Sequence, residues 1–169
     1  MVAPFRIELL AEHDRAGFAC GKSALDRYFQ TQVTQDARRR VASCFVAVEV
    51  SSGQVAAYYT IAAASMLLSE LPSDVTKRLP RYPMLPAVRI GRLAVDERFK
   101  KRGLGGALIA DAARRFMQSP PAVFALVVDA KDDQAVEFYE HHGLQQFSSQ
   151  PRTLFIPLAV AEKVLLGGE

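Results

Sequence analysis

The chain has 169 residues, half of them apolar and 23% charged, which predicts one soluble globular domain over residues 1–169 with a buried core. No apolar run approaches the roughly 18 residues that a spanning helix needs. The acid-containing N-terminal stretch lacks a secretory h-region, and two cysteines exclude a disulfide framework, so a reducing cytoplasm is the expected setting.

In chain order, Phe5–Leu10 alternates briefly and reads as a first strand. Gly21-Lys22-Ser23 breaks the chain, and Ser23 is placed to cap a helix from Ala24 whose apolar face carries Leu25, Phe29 and Val33, with Tyr28 beside them. Ser43–Val50 and Val55–Ala63 are β-rich runs joined by Ser51-Ser52-Gly53-Gln54, a hairpin signal. Residues 64–86 read as an excursion from the sheet, because the prolines of Leu79-Pro80-Arg81-Tyr82-Pro83 exclude regular pairing. Val88–Val95 is the next strand. A glycine-rich basic loop follows at Lys100–Gly106 and opens into a helix with Leu104, Leu108, Ala112 and Phe116 on one stripe. Val123–Val128 is apolar throughout, as a strand covered on both faces would be. A second helix spans about 133–142 and stops at Gly143. Leu154–Leu158 reads as a last strand, with a short helix over 159–166. The strand–helix alternation from residue 88 onward predicts a layered α/β sheet with a parallel or mixed centre.

Strand, glycine loop and helix N-terminus together form an anion site, since glycines let the backbone approach and the first helical N–H groups point outward. Lys100-x-x-Gly103-x-Gly105 is neither a Walker A sequence nor the dinucleotide fingerprint. A pyrophosphate on some other carrier remains, beside the plainer reading of a glycine turn that packs strand on helix. The charge is lumpy. The net charge is +3, yet basic knots stand at Arg38-Arg39-Arg40, at Lys77-Arg78 with Arg81, and at Lys100-Lys101-Arg102. Such knots suit a partner bearing several phosphates, although solvated surface charge explains any one of them as well.

Residues 88–108 followed by 123–144 resemble the GNAT superfamily of acetyl-CoA-dependent N-acetyltransferases. Lys100-Lys101-Arg102-Gly103-Leu104-Gly105 fits the superfamily loop Gln/Arg-x-x-Gly-x-Gly/Ala apart from its first position. Ala135-Val136-Glu137-Phe138-Tyr139-Glu140-His141-His142-Gly143-Leu144 is similar to its second signature, A-x-x-F-Y-x-x-x-G-F/L. The resemblance implies a mixed central sheet flanked by helices, with acetyl-CoA bound as co-substrate in a splay between two central parallel strands. It also implies that Leu93, Ala94 and Val95 bind the pantetheine arm and acetyl group. Lys100, Lys101, Arg102, Gly103, Leu104, Gly105 and Gly106 would cradle the pyrophosphate, with Phe138 nearby, and no metal is called for. Tyr139 would then be the general acid that protonates the departing CoA thiolate; the plainer reading makes Phe138 and Tyr139 core aromatics. His141 and His142 are conceivable bases but read better as surface histidines at a helix end. Cys20 and Cys44 read as core thiols.

Further segments resemble the TacT-like toxin branch of toxin–antitoxin modules, which acetylates aminoacyl-tRNA. They are Phe18-Ala19-Cys20-Gly21 through Phe29, Val55-Ala56-Ala57-Tyr58-Tyr59-Thr60, Leu79-Pro80-Arg81-Tyr82-Pro83, Ile90-Gly91-Arg92-Leu93-Ala94-Val95-Asp96 and Leu154-Phe155-Ile156-Pro157-Leu158. This resemblance implies an aminoacyl-tRNA acceptor, a homodimer and a small ribbon-helix-helix antitoxin. The basic residues Arg38, Arg39, Arg40, Lys77, Arg78, Arg81, Arg89 and Arg92 would contact the RNA. Two alternatives stand beside it: a GNAT acetylating a small amine, polyamine or protein N-terminus, and a non-catalytic GNAT-fold binding module.

Overall fold

The computed structural model describes residues 4–166. Its strands are β1 (Phe5–Leu9), β2 (Ser43–Glu49), β3 (Val55–Leu67), β4 (Met84–Val95), β5 (Ala125–Asp129), β6 (Gln145–Gln146) and β7 (Thr153–Pro157). Its helices are α1 (Ser23–Thr31), α2 (Val33–Arg38), α3 (Ser73–Thr76), α4 (Leu104–Met117), α5 (Asp133–His141) and α6 (Leu158–Val164), with single 3₁₀ turns at Leu68–Glu70 and Glu97–Phe99. The strands form one mixed sheet in the order β1-β2-β3-β4-β5-β7-β6. β4 and β5 are parallel, whereas β1–β2, β2–β3, β5–β7 and β6–β7 are antiparallel. The parallel ladder pairs Ala87 with Ala125 and ends at Ile90 with Val128. β4 then continues to Val95, so Leu93, Ala94 and Val95 lie beyond the last rung.

Packing divides the chain into two interleaved units, one up to residue 62 with 91–111, the other 63–90 with 112 onward. In the first unit the core is aromatic. Phe29 and Tyr58 stack with centroids 4.2 Å apart, and Phe18 meets both edge-on. The Tyr58 hydroxyl satisfies its polarity by donating to the Leu25 carbonyl oxygen at 2.8 Å. In the second unit, Met66, Leu85, Ala87, Ala125, Val127, Phe147 and Phe155 form an apolar cluster. Residues 125–128 are completely buried, as their unbroken apolar run predicts. Glu70, a rare buried acid, accepts from both the amide and the hydroxyl of Ser149. Those bonds outweigh the upward push of burial and hold its carboxyl below the usual range.

Four boundaries differ from the sequence reading. The helix expected from Ala24 with Val33 still on its apolar face breaks at Gln32, where Thr31, Val33 and Thr34 bring β-branched side chains together and the Thr31 hydroxyl bonds back to the Arg27 carbonyl oxygen at 2.7 Å. Ser23 does not cap that helix with its side chain; Asp26 instead accepts from the Cys20 amide at 2.8 Å. β3 runs on to Leu67, its alanines concealing the strand. β4 begins at Met84, because Pro86 lacks only a donor and its carbonyl oxygen accepts from the Phe124 amide at 2.9 Å. No helix among the described residues is long and apolar enough to cross a membrane.

Candidate active site

In the first unit, β4 delivers its end into a turn capped by Asp96, whose carboxylate accepts from the Arg98 amide at 2.9 Å and from its side chain at 3.0 Å. Asp96 is almost fully buried. Burial pushes its carboxyl up, but the Arg98 side chain and amide and the Ala19 amide together hold it below the usual carboxylate range. The loop then reaches Lys101 and Gly103, both in the left-handed region at φ +67° and +76°. α4 starts at the next residue. The first bond into that helix runs from the Ala107 amide to the Gly103 carbonyl oxygen at 3.0 Å, which leaves the amides of Leu104, Gly105 and Gly106 ahead of it as the open N-terminal turn.

The loop's three cations are not equivalent. Lys100 donates to the Cys20 carbonyl oxygen at 2.8 Å, and Arg102 lies 3.4 Å from Glu49 and over the Phe99 ring. Lys101 is exposed and has no such partner among the described residues. Two further bonds strap residues 19–20 to this turn, from the Glu97 amide to the Ala19 carbonyl oxygen at 2.9 Å and from the Ala19 amide to Asp96 at 3.1 Å. The strap was invisible in the spacing of the motifs, since each bond joins residues far apart in the chain and uses backbone atoms.

Arg92, also in the first unit, lies over the face of Tyr28 with its guanidinium carbon 3.5 Å from the ring centroid. Tyr28 is fixed in turn by a 2.8 Å bond from its hydroxyl to Asp36. Burial, then that bond, raises the phenol's pKa, so Tyr28 stays neutral. No carboxylate among the described residues occupies the Arg92 fork, which is thus held flat with its N–H donors available. Tyr28 and Asp36 had no functional reading in the sequence beyond an apolar helix face. Arg38, Arg39 and Arg40 are exposed at the end of α2, where Arg40 takes φ +61° as the chain turns toward β2.

In the second unit, α5 is capped by the Asp132 carboxylate, which accepts from the Ala135 amide at 2.8 Å, and it ends at Gly143 in the left-handed region at φ +94°. A side chain at 143 would also collide with Val164, its Cβ falling 2.8 Å from Val164 Cγ1. Tyr139 is 6% exposed and meets Phe138 edge-on at 5.2 Å. Burial first, and then the charge of Asp129, pushes its phenol up to about 12. His142 Nδ1 lies 2.9 Å from the Phe138 carbonyl oxygen, while His141 is exposed. Arg89 pairs with Asp129 at 2.6 Å, whereas Lys77, Arg78 and Arg81 are exposed. Both cysteines are buried, and burial pushes the Cys44 thiol up to about 12, far from a nucleophilic thiolate.

Residues 79–157 match the family model described as the acetyltransferase (GNAT) domain. The chain is 28% identical over 154 residues to a tRNA-acetylating toxin of Mycobacterium tuberculosis, with 90% of each chain covered. A solved structure of AtaT complexed with acetyl-methionyl-tRNAfMet is similar at a TM-score of 0.86 and 27% identity, covering 94% of this chain and 98% of that one. A crystal structure of AtaTR bound with acetyl-CoA is similar at 0.77 and 26%, covering 95% and 97%.

Proposed function

We propose that the chain, similar over residues 79–157 to the acetyltransferase (GNAT) domain and in fold to AtaT, uses acetyl-CoA to acetylate the α-amino group of an aminoacyl-tRNA, as a toxin that stops translation in the cytoplasm. The observation that carries this reading is the likeness to a tRNA-acetylating toxin over nine-tenths of both chains, well beyond the GNAT motifs. The GNAT-fold relatives with bound acetyl-CoA and with an acetylated aminoacyl-tRNA are compatible with the same donor and acceptor. The small-amine alternative loses ground on charge, because exposed cations at 38–40, 77, 78 and 81 repel a polyamine and attract a phosphate backbone.

In this reading the open first turn of α4 and the loop amides from Lys100 to Gly106 take the pyrophosphate, with the free Lys101 ammonium adding charge. The edge formed by Leu93, Ala94 and Val95 takes the pantetheine arm, and Phe138 lines the thioester. The acceptor amine, with an unperturbed pKa near 7.7–8.0, is partly neutral at working pH and attacks the thioester carbon. The C–N bond forms, the C–S bond breaks with its electron pair going to sulfur, and the Tyr139 hydroxyl gives that sulfur a hydrogen bond and then its proton. Water removes the proton from the new amide nitrogen, and solvent restores the phenol. Arg38, Arg39, Arg40, Lys77, Arg78, Arg81, Arg89 and Arg92 contact the RNA, Arg92 through the fork laid on Tyr28 and Arg89 at the expense of its bond to Asp129. The reading extends to a single catalytic domain over 1–169, a homodimer and neutralisation by a ribbon-helix-helix antitoxin.

Induced expression of the wild-type chain is therefore expected to stop incorporation of labelled amino acids into protein within one doubling time. Continued incorporation at full protein level would put the small-amine reading ahead.

A further inference from the structure

The segment after α3 presents the most exposed large apolar side chain in the described structure. Tyr82 is 64% exposed, and its ring makes no ring contact or hydrogen bond among the described residues. It stands in Leu79-Pro80-Arg81-Tyr82-Pro83, where the two prolines restrict the backbone and so lower the entropy lost when the ring is used. Lys77, Arg78 and Arg81 surround it in sequence, all exposed and none ion-paired among the described residues; Asp74 is the one acid between residues 71 and 83. The Leu68 amide bonds to the Pro83 carbonyl oxygen at 3.0 Å, which sets Leu67 and Met84, 46% and 47% exposed, on either side of that junction.

We infer that Tyr82 is a base-stacking platform for the unpaired nucleotides at the 3′ end of the tRNA acceptor, with Lys77, Arg78 and Arg81 holding the adjoining phosphates. The inference rests on the aminoacyl-tRNA reading above and adds to it a contact with a base rather than with a phosphate. Single-stranded nucleic acid is gripped by this combination of a rigid exposed aromatic and a rim of cations, since every base has a π-face and every linkage a charge. A protein partner fits less well. A stable protein interface buries roughly 800 Å² on each side around a depleted-charge apolar core, whereas here three exposed cations stand within five residues of one exposed aromatic ring. The tRNA must present its single-stranded end to this enzyme, because the reacting amine is esterified there.

The test measures binding of uncharged tRNA, and of the same tRNA trimmed of its single-stranded 3′ tail, as a function of salt. Tyr82→Ala is expected to weaken binding of intact tRNA by about 5- to 150-fold with an unchanged salt slope, because stacking releases no counterions. Tyr82→Phe is expected to bind within about two-fold of the wild type, since it keeps the π-face. On trimmed tRNA, wild type and Tyr82→Ala are expected to bind alike. Lys77→Ala, Arg78→Ala and Arg81→Ala should each reduce the slope by about 0.7, the single-strand value. The inference is overturned if Tyr82→Ala binds intact tRNA as the wild type does, or loses as much on trimmed tRNA as on intact. It is overturned equally if the substitution leaves tRNA binding alone and changes the sedimenting mass, which would assign the face to a protein contact. Failure of the wild type to bind either tRNA would instead remove the acceptor reading itself.

Discussion

Tyr139→Phe is expected to lower kcat for acetyl transfer by about 100- to 10,000-fold, the range over which a positioned proton donor acts. Acetyl-CoA affinity should stay within about two-fold, because the substitution removes an interaction that matters only as the thiolate forms. The pH profile carries independent information. Burial and the Asp129 charge push the phenol up to about 12, so it stays protonated through the working range. The rate should therefore rise with pH as the acceptor amine loses its proton near 7.7–8.0 and then level off, with no falling limb below about pH 11. Stopped-flow detection of released CoA thiol checks both points. A Tyr139→Phe enzyme within three-fold of wild-type kcat would return Phe138 and Tyr139 to the role of core aromatics. The hydroxyl contributes no hydrogen bond to the described structure, so its removal is expected to leave the melting temperature nearly unchanged.

Gly103→Val is expected to raise the dissociation constant for acetyl-CoA about ten-fold or more. Gly103 holds φ +76°, and a Cβ there would meet nothing within 4 Å, so the obstacle is conformational rather than steric. A β-branched residue in the left-handed region costs at least about 1–2 kcal/mol, which the loop relieves by turning its amides away from the pyrophosphate. Asparagine tolerates that region, so Gly103→Asn is expected to remain within about three-fold of the wild type. Calorimetric titration with acetyl-CoA distinguishes the two. Equal affinity in all three proteins would mean that the loop amides do not bind the donor.

The parts of this molecule that were legible in the sequence are those in which one short segment carries its own instructions. Gly103 and Gly105 after an apolar strand announce a turn into a helix N-terminus, and the continuous apolar run at 125–128 announces a strand buried on both faces. The signals weakened where two physical tendencies competed. Thr31, Val33 and Thr34 broke a helix whose apolar spacing continued across them, and the alanines at 62–64 hid the last four residues of β3 because alanine prefers helices. β6 is two exposed glutamines, defined by its pairing with Leu154 and Phe155 and by nothing in its own chemistry.

The site shows the same division. Tyr139 and the glycine loop stand out by spacing, but the distinct fates of Lys100, Lys101 and Arg102 do not. Lys100 reaches a carbonyl of residue 20 and Arg102 a carboxylate of residue 49, and only the folded backbone brings those acceptors to the loop. The stack of Arg92 on Tyr28 is equally silent in sequence, where Tyr28 reads as one more apolar residue on an amphipathic helix. Loop motifs are local, whereas the partners that decide which side chains remain free for a ligand are long-range.

The most direct measurement is transfer of radiolabelled acetyl from acetyl-CoA by the purified protein to individually charged tRNAs, followed by release and identification of the aminoacyl product. The account predicts label on the α-nitrogen of the amino acid of at least one charged tRNA, none on the same tRNA uncharged, and loss of the signal with Tyr139→Phe. No label on any charged tRNA, with acetyl transferred instead to a free amine or a protein N-terminus, would contradict it.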